Sequence, residues 1–290
     1  MIKSILFSLT IFFGLTAIAA PYPILFETPP FFGSQYSRPN DNKAHTSIVM
    51  LHGSEGGSAR SLSEAGILTM QGFVVLSLCY FDCGRGLTGP RATLKNVDTG
   101  LVLDAVKWLR DQPQSNGKVV VYGFSRGGEL AMVTGSLDGG QRLPDALIAH
   151  TPSDIFNGPY NWDWNEPACW ICKIGTCPAK SPNSDYRWNP ACGPDDPTTI
   201  DQSKSAWFIN GSNVPSHTRI EIEKFKGPIL ITVGEADDMW PVDQTRRIES
   251  TLKSMGRPAE VHYFPGAGHI FKNADEIRRR EFVIDFLGRI

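Results

Sequence analysis

A short strand that turns directly into a helix around a serine is the sequence feature that most constrains the fold of this chain. Residues 119–122 form an apolar run with a high strand preference, and a helical pattern follows the turn. The turn itself reads Gly123-Phe-Ser125-Arg-Gly127. Glycines two residues before and two after the serine remove side chains that would collide in so tight a turn. The pattern predicts a nucleophile elbow, in which Ser125 is raised above the sheet edge and the helix N-terminus favours negative charge beside it.

Alternating strand and helix patterns surround this turn from residue 46 onward. Strands are expected at residues 47–51, 73–78, 119–122, 146–149, 228–233 and 259–264. Helices are expected at about residues 59–71, 92–111, 128–133, 242–255 and 274–288. One or two short edge strands are expected between residues 21 and 45. This alternation predicts an α/β fold with a mostly parallel sheet that is flanked by helices on both faces.

Residues 152–227 interrupt the alternation and form the least regular part of the sequence. They contain four of the six cysteines and five of the seven tryptophans. A connection of this length is usually functional or disordered, and the aromatic content argues against disorder. We expect a Trp/Cys-rich lid, inserted after the strand that ends near His150 and lying over the strand ends where ligands bind. A structural excursion away from the site is the alternative.

The first 19 residues have the pattern of an export signal. Lys3 supplies a positive charge, residues 5–18 form a largely apolar run, and Ala17-Ile-Ala19 fits a small-x-small cleavage site. The apolar run is shorter than the roughly 20 residues that a membrane span needs. We therefore expect a signal peptide over residues 1–19, no stable membrane anchor, and a single domain over residues 20–290 in the periplasm or outside the cell.

The cysteine pattern favours disulfide bonds, because an even number of cysteines behind an export signal is typical of an oxidising compartment. The six residues are Cys79, Cys83, Cys169, Cys172, Cys177 and Cys192. A local Cys79–Cys83 bridge is preferred, and it leaves two bridges for the later cluster. A zinc site formed by the four later thiolates is the less favoured alternative, so no metal is predicted.

The charge balance limits the classes of partner. The formal net charge is −2, and no basic face for nucleic acid or polybasic patch for a membrane surface is evident. We therefore expect a small-molecule or peptide substrate, with no cofactor, and the sequence implies no partner protein.

An activated serine needs a base and a carboxylate that orients the base, and in a fold of this type both follow later strands. His269 lies in a glycine-rich loop just after the last strand and is the predicted base. His262 lies within that strand and is expected to be structural. Three carboxylates follow the strand that ends at Val233. Asp237 is the preferred acid because it lies at the first turn outside the sheet, and Asp238 is the alternative acid.

Two backbone N–H groups are predicted to donate to the oxyanion of the reaction. Arg126 directly follows the nucleophile, and Ser54 lies in the glycine-rich loop after the 47–51 strand. His52 precedes the nucleophile in the chain and is expected to support that loop.

Four further residues are candidates for the neighbourhood of the site. Glu129, one turn into the elbow helix, could pair with Arg126 or brace the loop at residues 56–57, and no chemical role is predicted for it. The remaining three could line a substrate pocket or simply pack in the core: His150, Trp240 and Phe81.

Four segments of the chain together resemble those of the α/β-hydrolases. They read Leu-His-Gly-Ser54-Glu-Gly-Gly, Gly123-Phe-Ser-Arg-Gly-Gly-Glu-Leu-Ala, Gly234-Glu-Ala-Asp-Asp-Met-Trp-Pro and Gly266-Ala-Gly-His. The chain resembles the C-terminal catalytic domain of acyl-CoA thioesterases and bile acid-CoA:amino acid N-acyltransferases, and it also resembles the dienelactone hydrolases. The resemblance covers residues 46–151 and 228–288. It implies that Ser125, Asp237 and His269 form a catalytic triad.

These observations predict an exported serine hydrolase that forms an acyl-enzyme on Ser125. Carboxylic esters are the first expected substrate class and thioesters the second. The nucleophile of this chain is a serine, whereas the acyltransferases of the similar family resemble one another in using cysteine. This difference favours hydrolysis over amide synthesis. The alternatives are a prolyl-oligopeptidase-like peptidase and a non-catalytic binding protein on the same scaffold.

Overall fold

The computed structural model describes residues 22–84, 91–137, 143–171 and 186–290. Its helices are α1 (Ala59–Met70), α2 (Gly100–Arg110), α3 (Arg126–Ser136), α4 (Asp243–Ser254) and α5 (Asn273–Leu287). Its strands are β1 (Ile24–Glu27), β2 (Gln35–Pro39), β3 (His45–Leu51), β4 (Val74–Leu78), β5 (Val97–Asp98), β6 (Ser115–Phe124), β7 (Ala146–His150), β8 (Trp170–Ile171), β9 (Arg187–Trp188), β10 (Lys204–Ile209), β11 (Ser212–Pro215), β12 (Ile229–Gly234) and β13 (Glu260–Phe264). The predicted signal peptide lies outside these residues. Within the described ranges, no helix is both long and apolar enough to cross a membrane.

An eight-stranded sheet lies at the centre of the protein. Its strand order is β1-β2-β4-β3-β6-β7-β12-β13. The neighbouring strands from β4 to β13 are parallel, whereas β1 and β2 are antiparallel additions at one edge. The mostly parallel sheet and the two edge strands are therefore confirmed. The elbow strand β6 lies between β3 and β7, near the middle of the sheet.

Helices cover both faces of the sheet because its central strands are apolar on both sides. On β6, Val119 and Val121 face one buried cluster, which contains side chains of α2, α3 and α4. Val120 and Tyr122 face a second cluster, which contains side chains of α1 and α5. Each fully buried aliphatic side chain contributes roughly 1.5–3 kcal/mol to folding. Since β6 is packed from both faces, the turn at its end is held on a rigid support.

The helix expected at residues 92–111 begins later than its periodicity predicts. Residues before Gly100 pair instead with the inserted segment: Leu94 bridges Tyr160, and β5 pairs with β10 in parallel. Asn96 has a φ of +50°, a left-handed conformation that interrupts a right-handed helix. The prediction is wrong over this stretch because apolar residues at helical spacing serve here as contacts to a distant segment.

The inserted segment contains short strands held by a disulfide bond. Strands β8 and β9 pair with each other, and β10 pairs with both β5 and β11. Cys169 and Cys192 form a disulfide with their Cα atoms 5.5 Å apart. This bond contradicts the alternative of a four-thiolate zinc site, since two of its thiolates are bonded to each other. Cys172 and Cys177, for which a second bridge was expected, lie outside the described residues.

The predicted Cys79–Cys83 bridge is confirmed. Its Cα atoms are 5.7 Å apart. The bridge closes the short loop after β4, and Phe81 within this loop accepts a hydrogen bond from the N–H of Gly57 at 3.0 Å. The disulfide therefore lies behind the glycine-rich loop that follows β3.

Candidate active site

The turn after β6 holds Ser125 in a strained backbone conformation. Its φ and ψ are +51° and −118°, a region that residues other than glycine rarely occupy. A Cβ atom at Gly123 would lie 1.9 Å from the carbonyl oxygen of Gly127, and one at Gly127 would lie 2.3 Å from the carbonyl oxygen of His52. Both positions therefore require glycine. The turn has the tight strand-to-helix geometry that the sequence predicts.

Replacing Ser125 by glycine should stabilise the fold, because glycine tolerates a positive φ. We expect Ser125→Gly to be about 1 kcal/mol more stable than Ser125→Ala, which keeps the Cβ atom and its strain. Urea denaturation of the two variants side by side measures this difference. Equal stabilities would contradict the presence of strain at this position.

Ser125, His269 and Asp237 form a continuous chain of hydrogen bonds. The Nε2 atom of His269 lies 2.8 Å from the Oγ atom of Ser125, and its Nδ1 atom lies 2.8 Å from Oδ2 of Asp237. The imidazole is buried, and the ring of Trp240 packs edge-on against it with the centroids 5.5 Å apart. With a proton on Nδ1 that is donated to Asp237, Nε2 is free to accept the proton of the serine.

Asp237, and not Asp238, contacts the histidine. Its other carboxylate oxygen accepts hydrogen bonds from the N–H groups of Met239 and Trp240, both at 2.9 Å. Burial by itself raises the pKa of Asp237, but the hydrogen bonds from His269 and from these two N–H groups outweigh it and lower the pKa below its ordinary value. The carboxyl group is therefore ionised at neutral pH. The side chain of Asp238 is exposed.

The two loops that carry the acid and the base meet because they follow neighbouring strands. Asp237 comes after β12 and His269 after β13, which pair in parallel. A Cβ atom at Gly234 would lie 2.2 Å from the carbonyl oxygen of Ala267, so glycine permits the close approach of the two loops. The N–H of Ala236 then donates to the same carbonyl at 2.9 Å.

The loop after β3 lies directly beside the serine. A Cβ atom at Gly53 would lie 3.4 Å from the Cβ atom of Ser125. The Nδ1–H of His52 donates to the carbonyl of Gly53 at 2.8 Å, and the hydroxyl of Tyr80 donates to the carbonyl of His52 at 2.8 Å. Because the carbonyl of Gly53 and the N–H of Ser54 belong to one planar peptide unit, the bond from His52 fixes the direction of that N–H.

His52 supports this loop in its neutral form, which predicts a pH dependence of stability. Burial lowers the pKa of His52 to about 4, although the hydrogen bond to Gly53 opposes the shift. The unfolded histidine binds a proton below about pH 6.5, whereas the folded one does so only near pH 4. The stability contribution is therefore complete above the unfolded pKa and is lost as the pH falls towards the folded pKa.

We expect His52 to account for a loss of ~2 kcal/mol in the free energy of unfolding between pH 7 and pH 5. Urea denaturation of the wild type and of His52→Asn at both pH values measures this share. The wild type should lose more stability than the variant on acidification. An identical loss in both proteins would contradict the burial of a neutral His52.

A cavity of about 320 Å³ opens beside Ser125. Its walls come from the elbow, the loop after β3, the acid loop and the inserted segment. The segment contributes Asn157, Gly158, Pro159, Tyr160, Gln202 and His217. The insertion therefore covers the site, as expected for a lid. No local pattern in the sequence marks these residues.

Only one of the three candidate pocket residues lines this cavity among the described residues, namely Trp240. His150 is buried, and its Nδ1 atom lies 2.9 Å from the hydroxyl of Thr232. Phe81 is buried against the ring of His52, with the centroids 5.5 Å apart. Neither His150 nor Phe81 is among the residues that line this cavity, and both pack beneath the site, which is the alternative left open for them. Ser54 and Arg126, which carry the proposed oxyanion donors, do line the cavity.

Two family models match the sequence. The X-Pro dipeptidyl-peptidase (S15 family) model matches residues 10–163, which is more than half of the chain. The dienelactone hydrolase family model matches residues 199–283. Both models describe hydrolases, which confirms the enzyme class predicted from the sequence.

Solved structures of two proteins share the fold. The propionate-bound esterase Est2 of Thermogutta terrifontis aligns with a TM-score of 0.55 at 17% identity, over 88% of this chain and 89% of the other. A putative dienelactone hydrolase of Klebsiella pneumoniae aligns with a TM-score of 0.59 at 12% identity, over 92% of this chain and 99% of the other. At such low sequence identity, these structural alignments show a common fold and nothing more.

A curated relative by sequence is a much longer protein. The non-reducing polyketide synthase pkbA of Emericella nidulans is 27% identical, over 89% of this chain but only 13% of the synthase. The chain thus spans a small part of the length of this relative.

Proposed function

We propose that this chain, which belongs to the α/β-hydrolase superfamily and matches the S15 family model over more than half of its length, is a serine hydrolase that cleaves carboxylic esters. The observation that carries the proposal is the hydrogen-bonded chain from Ser125 through His269 to Asp237 at the edge of a cavity. The cavity volume of about 320 Å³ favours small substrates, since ligand cavities range from about 300 to 1,000 Å³. Esters with short acyl groups are therefore the proposed substrates.

Acylation begins when Ser125 attacks the carbonyl carbon of the ester. His269 removes the hydroxyl proton, and the ionised Asp237 stabilises the imidazolium that forms. The N–H groups of Ser54 and Arg126 donate to the oxyanion, and each donor of this kind lowers the barrier by ~3 kcal/mol. When the tetrahedral intermediate collapses, the C–O bond to the alcohol breaks and His269 protonates the departing oxygen. The products are a free alcohol and an acyl-enzyme on Ser125.

Deacylation repeats these steps with water as the nucleophile. His269 takes a proton from the water as its oxygen attacks the acyl carbon, and returns that proton to the Oγ atom of Ser125. The acid is released and the free enzyme is restored. Thioesters follow the same course with a thiol as the leaving group, so they are the second proposed substrate class.

A peptidase that cleaves near an amino terminus is the second candidate function, and the S15 match favours it. Such an enzyme has to bind a charged amino group, for which a carboxylate is the ordinary partner. The cavity beside Ser125 has no acidic side chain among its described lining residues. The lack of a carboxylate among these lining residues favours esters over peptides with a free amino terminus as substrates.

A substrate panel tests the proposed function. We expect the purified protein to cleave p-nitrophenyl acetate and butyrate faster than p-nitrophenyl octanoate, a thioester or glycyl-prolyl-p-nitroanilide. Fastest cleavage of the anilide would instead indicate a peptidase. Absence of turnover across the panel would contradict the proposal and favour a non-catalytic binding protein on this scaffold.

We also propose that the protein is exported as a single domain over residues 20–290. The N-terminal pattern supports export, and the Cys79–Cys83 and Cys169–Cys192 disulfides support an oxidising compartment such as the periplasm or the cell exterior. Expression of the full chain in a bacterium with a periplasm, followed by N-terminal sequencing, tests the proposal. A cytoplasmic protein that retains Met1 would contradict it.

A further inference from the structure

A buried ion pair lies directly behind the nucleophile, in the first turn of α3. The Nη1 atom of Arg126 donates to Oε2 of Glu129 at 2.7 Å. The two side chains are 6% and 0% exposed. Removing two charges from water is unfavourable unless further hydrogen bonds satisfy both groups. The residues that supply those hydrogen bonds therefore identify the part of the protein that the ion pair positions.

The inserted segment supplies the remaining partners. Oε1 of Glu129 accepts hydrogen bonds from the N–H of Asn157 at 2.7 Å and from Nε1–H of Trp207 at 2.5 Å. Oε2 accepts from the side-chain amide of Asn157 at 3.0 Å. Arg126 donates to the carbonyl of Gly158, and its guanidinium lies 5.7 Å from the centroid of the Trp207 ring. We refer to Arg126, Glu129, Asn157 and Trp207 as the Glu129 cluster.

The Glu129 cluster is continuous with the wall of the cavity. Asn157 of the cluster and Gly158, whose carbonyl accepts from Arg126, line the cavity together with the next two residues of the chain. Glu129 itself is fully buried, and it is absent from the described residues that line the cavity. Its carboxylate therefore acts on this wall from behind, through Asn157 and Arg126.

Resting on the proposed function, we propose that Glu129 is a positioning residue that holds residues 157–160 against the nucleophile and thereby limits the acyl group to short chains. The backbone and the side chain of Asn157 both bind one carboxylate, so the wall is fixed at its first residue. Loss of the negative charge weakens both bonds and leaves the Arg126 guanidinium without its partner. The wall can then move outward and admit longer acyl groups.

Glu129→Gln tests this role, with Glu64→Gln as the matched control. Glu64 is also buried and pairs with Arg279 at 2.9 Å and Arg280 at 3.0 Å, but it lies on α1 against the opposite face of the sheet. Both substitutions should lower the melting temperature. Only Glu129→Gln should change the ratio of kcat/KM for p-nitrophenyl hexanoate to that for p-nitrophenyl acetate.

We expect this ratio to rise about tenfold in Glu129→Gln, because a change of about 1.4 kcal/mol, close to one hydrogen bond, is a factor of ten. The rise should come from a lower KM for the hexanoate. Trp207→Phe removes one hydrogen bond of the cluster while keeping an aromatic ring, and it should shift the ratio in the same direction if Glu129→Gln does not fold.

An unchanged ratio in a folded Glu129→Gln, or the same rise in Glu64→Gln, would overturn the positioning role. A ratio in Trp207→Phe equal to that of the wild type would also do so. A wild-type protein that cleaves no ester would instead contradict the proposed function, and this inference with it.

Discussion

Ser125→Ala is expected to reduce kcat for p-nitrophenyl butyrate by roughly 10⁶-fold, as removal of the catalytic serine does in a well-studied serine protease. The reason is the loss of the Oγ atom, which lies 2.8 Å from the Nε2 atom of His269 and is positioned to form the acyl-enzyme. The variant should remain folded, since alanine keeps the Cβ atom that the elbow already accommodates. Steady-state kinetics and circular dichroism of the purified variant measure both expectations.

Ser61→Ala is the matched control for this substitution. Ser61 is also buried, but its hydroxyl donates to the carbonyl of Ser58 within the first turn of α1, at 2.9 Å. Its removal should leave kcat close to that of the wild type, because the hydroxyl bonds to the carbonyl of Ser58 and to none of Ser125, His269 and Asp237. Substantial turnover by Ser125→Ala would contradict the assignment of the nucleophile.

Asp237→Asn is expected to lower kcat by about 10⁴-fold, the effect of this change in a well-studied Ser-His-Asp triad. An amide presents an N–H group to Nδ1 of His269 and favours the ring tautomer in which Nε2 carries the proton. That tautomer cannot accept the proton of Ser125. Kinetics with p-nitrophenyl butyrate at neutral pH measure the loss.

The neighbouring Asp238→Asn provides a control with the same chemical change one residue away. The Asp238 side chain is exposed, whereas the Asp237 carboxylate accepts hydrogen bonds from His269, Met239 and Trp240. We expect Asp238→Asn to retain kcat within about twofold. A larger loss in Asp238→Asn than in Asp237→Asn would contradict the assignment of Asp237 as the acid and would indicate Asp238 instead.

The sequence predicts the parts of this protein that local patterns encode. Glycine spacing around Ser125 identifies the turn, because backbone atoms approach Gly123 and Gly127 too closely for any other residue. Asp237 and His269 can be identified because each follows one of two predicted strands, β12 and β13, which pair in parallel and so end at the same sheet edge. The alternation of strand and helix patterns along the chain likewise predicts the central, mostly parallel sheet.

Contacts between distant segments account for what the sequence could not predict. Leu94 has helical spacing with its neighbours but pairs with Tyr160, so the expected helix begins later. Glu129 has no recognisable local partner beyond Arg126, yet its carboxylate binds Trp207, which is 78 residues away. Neither pairing leaves a periodic signal, since each depends on how the inserted segment packs onto the sheet.

The same limit applies to the walls of the cavity. His150 lies at the end of a strand beside the elbow, a position that suggests a pocket residue, but its ring points into the core towards Thr232 and Phe271. Gln202 and His217 lie in a segment without helical or strand periodicity and nevertheless line the cavity. Substrate preference therefore depends on residues that only the folded structure identifies.

Covalent labelling tests the central claim most directly. The wild-type protein is incubated with a fluorophosphonate probe and digested, and the labelled peptide is mapped by mass spectrometry. We predict a single adduct on the Oγ atom of Ser125, slower labelling in His269→Ala, and none at this position in Ser125→Ala. Failure of the wild type to react, or an adduct on a different residue, would contradict a nucleophile at Ser125 activated by His269.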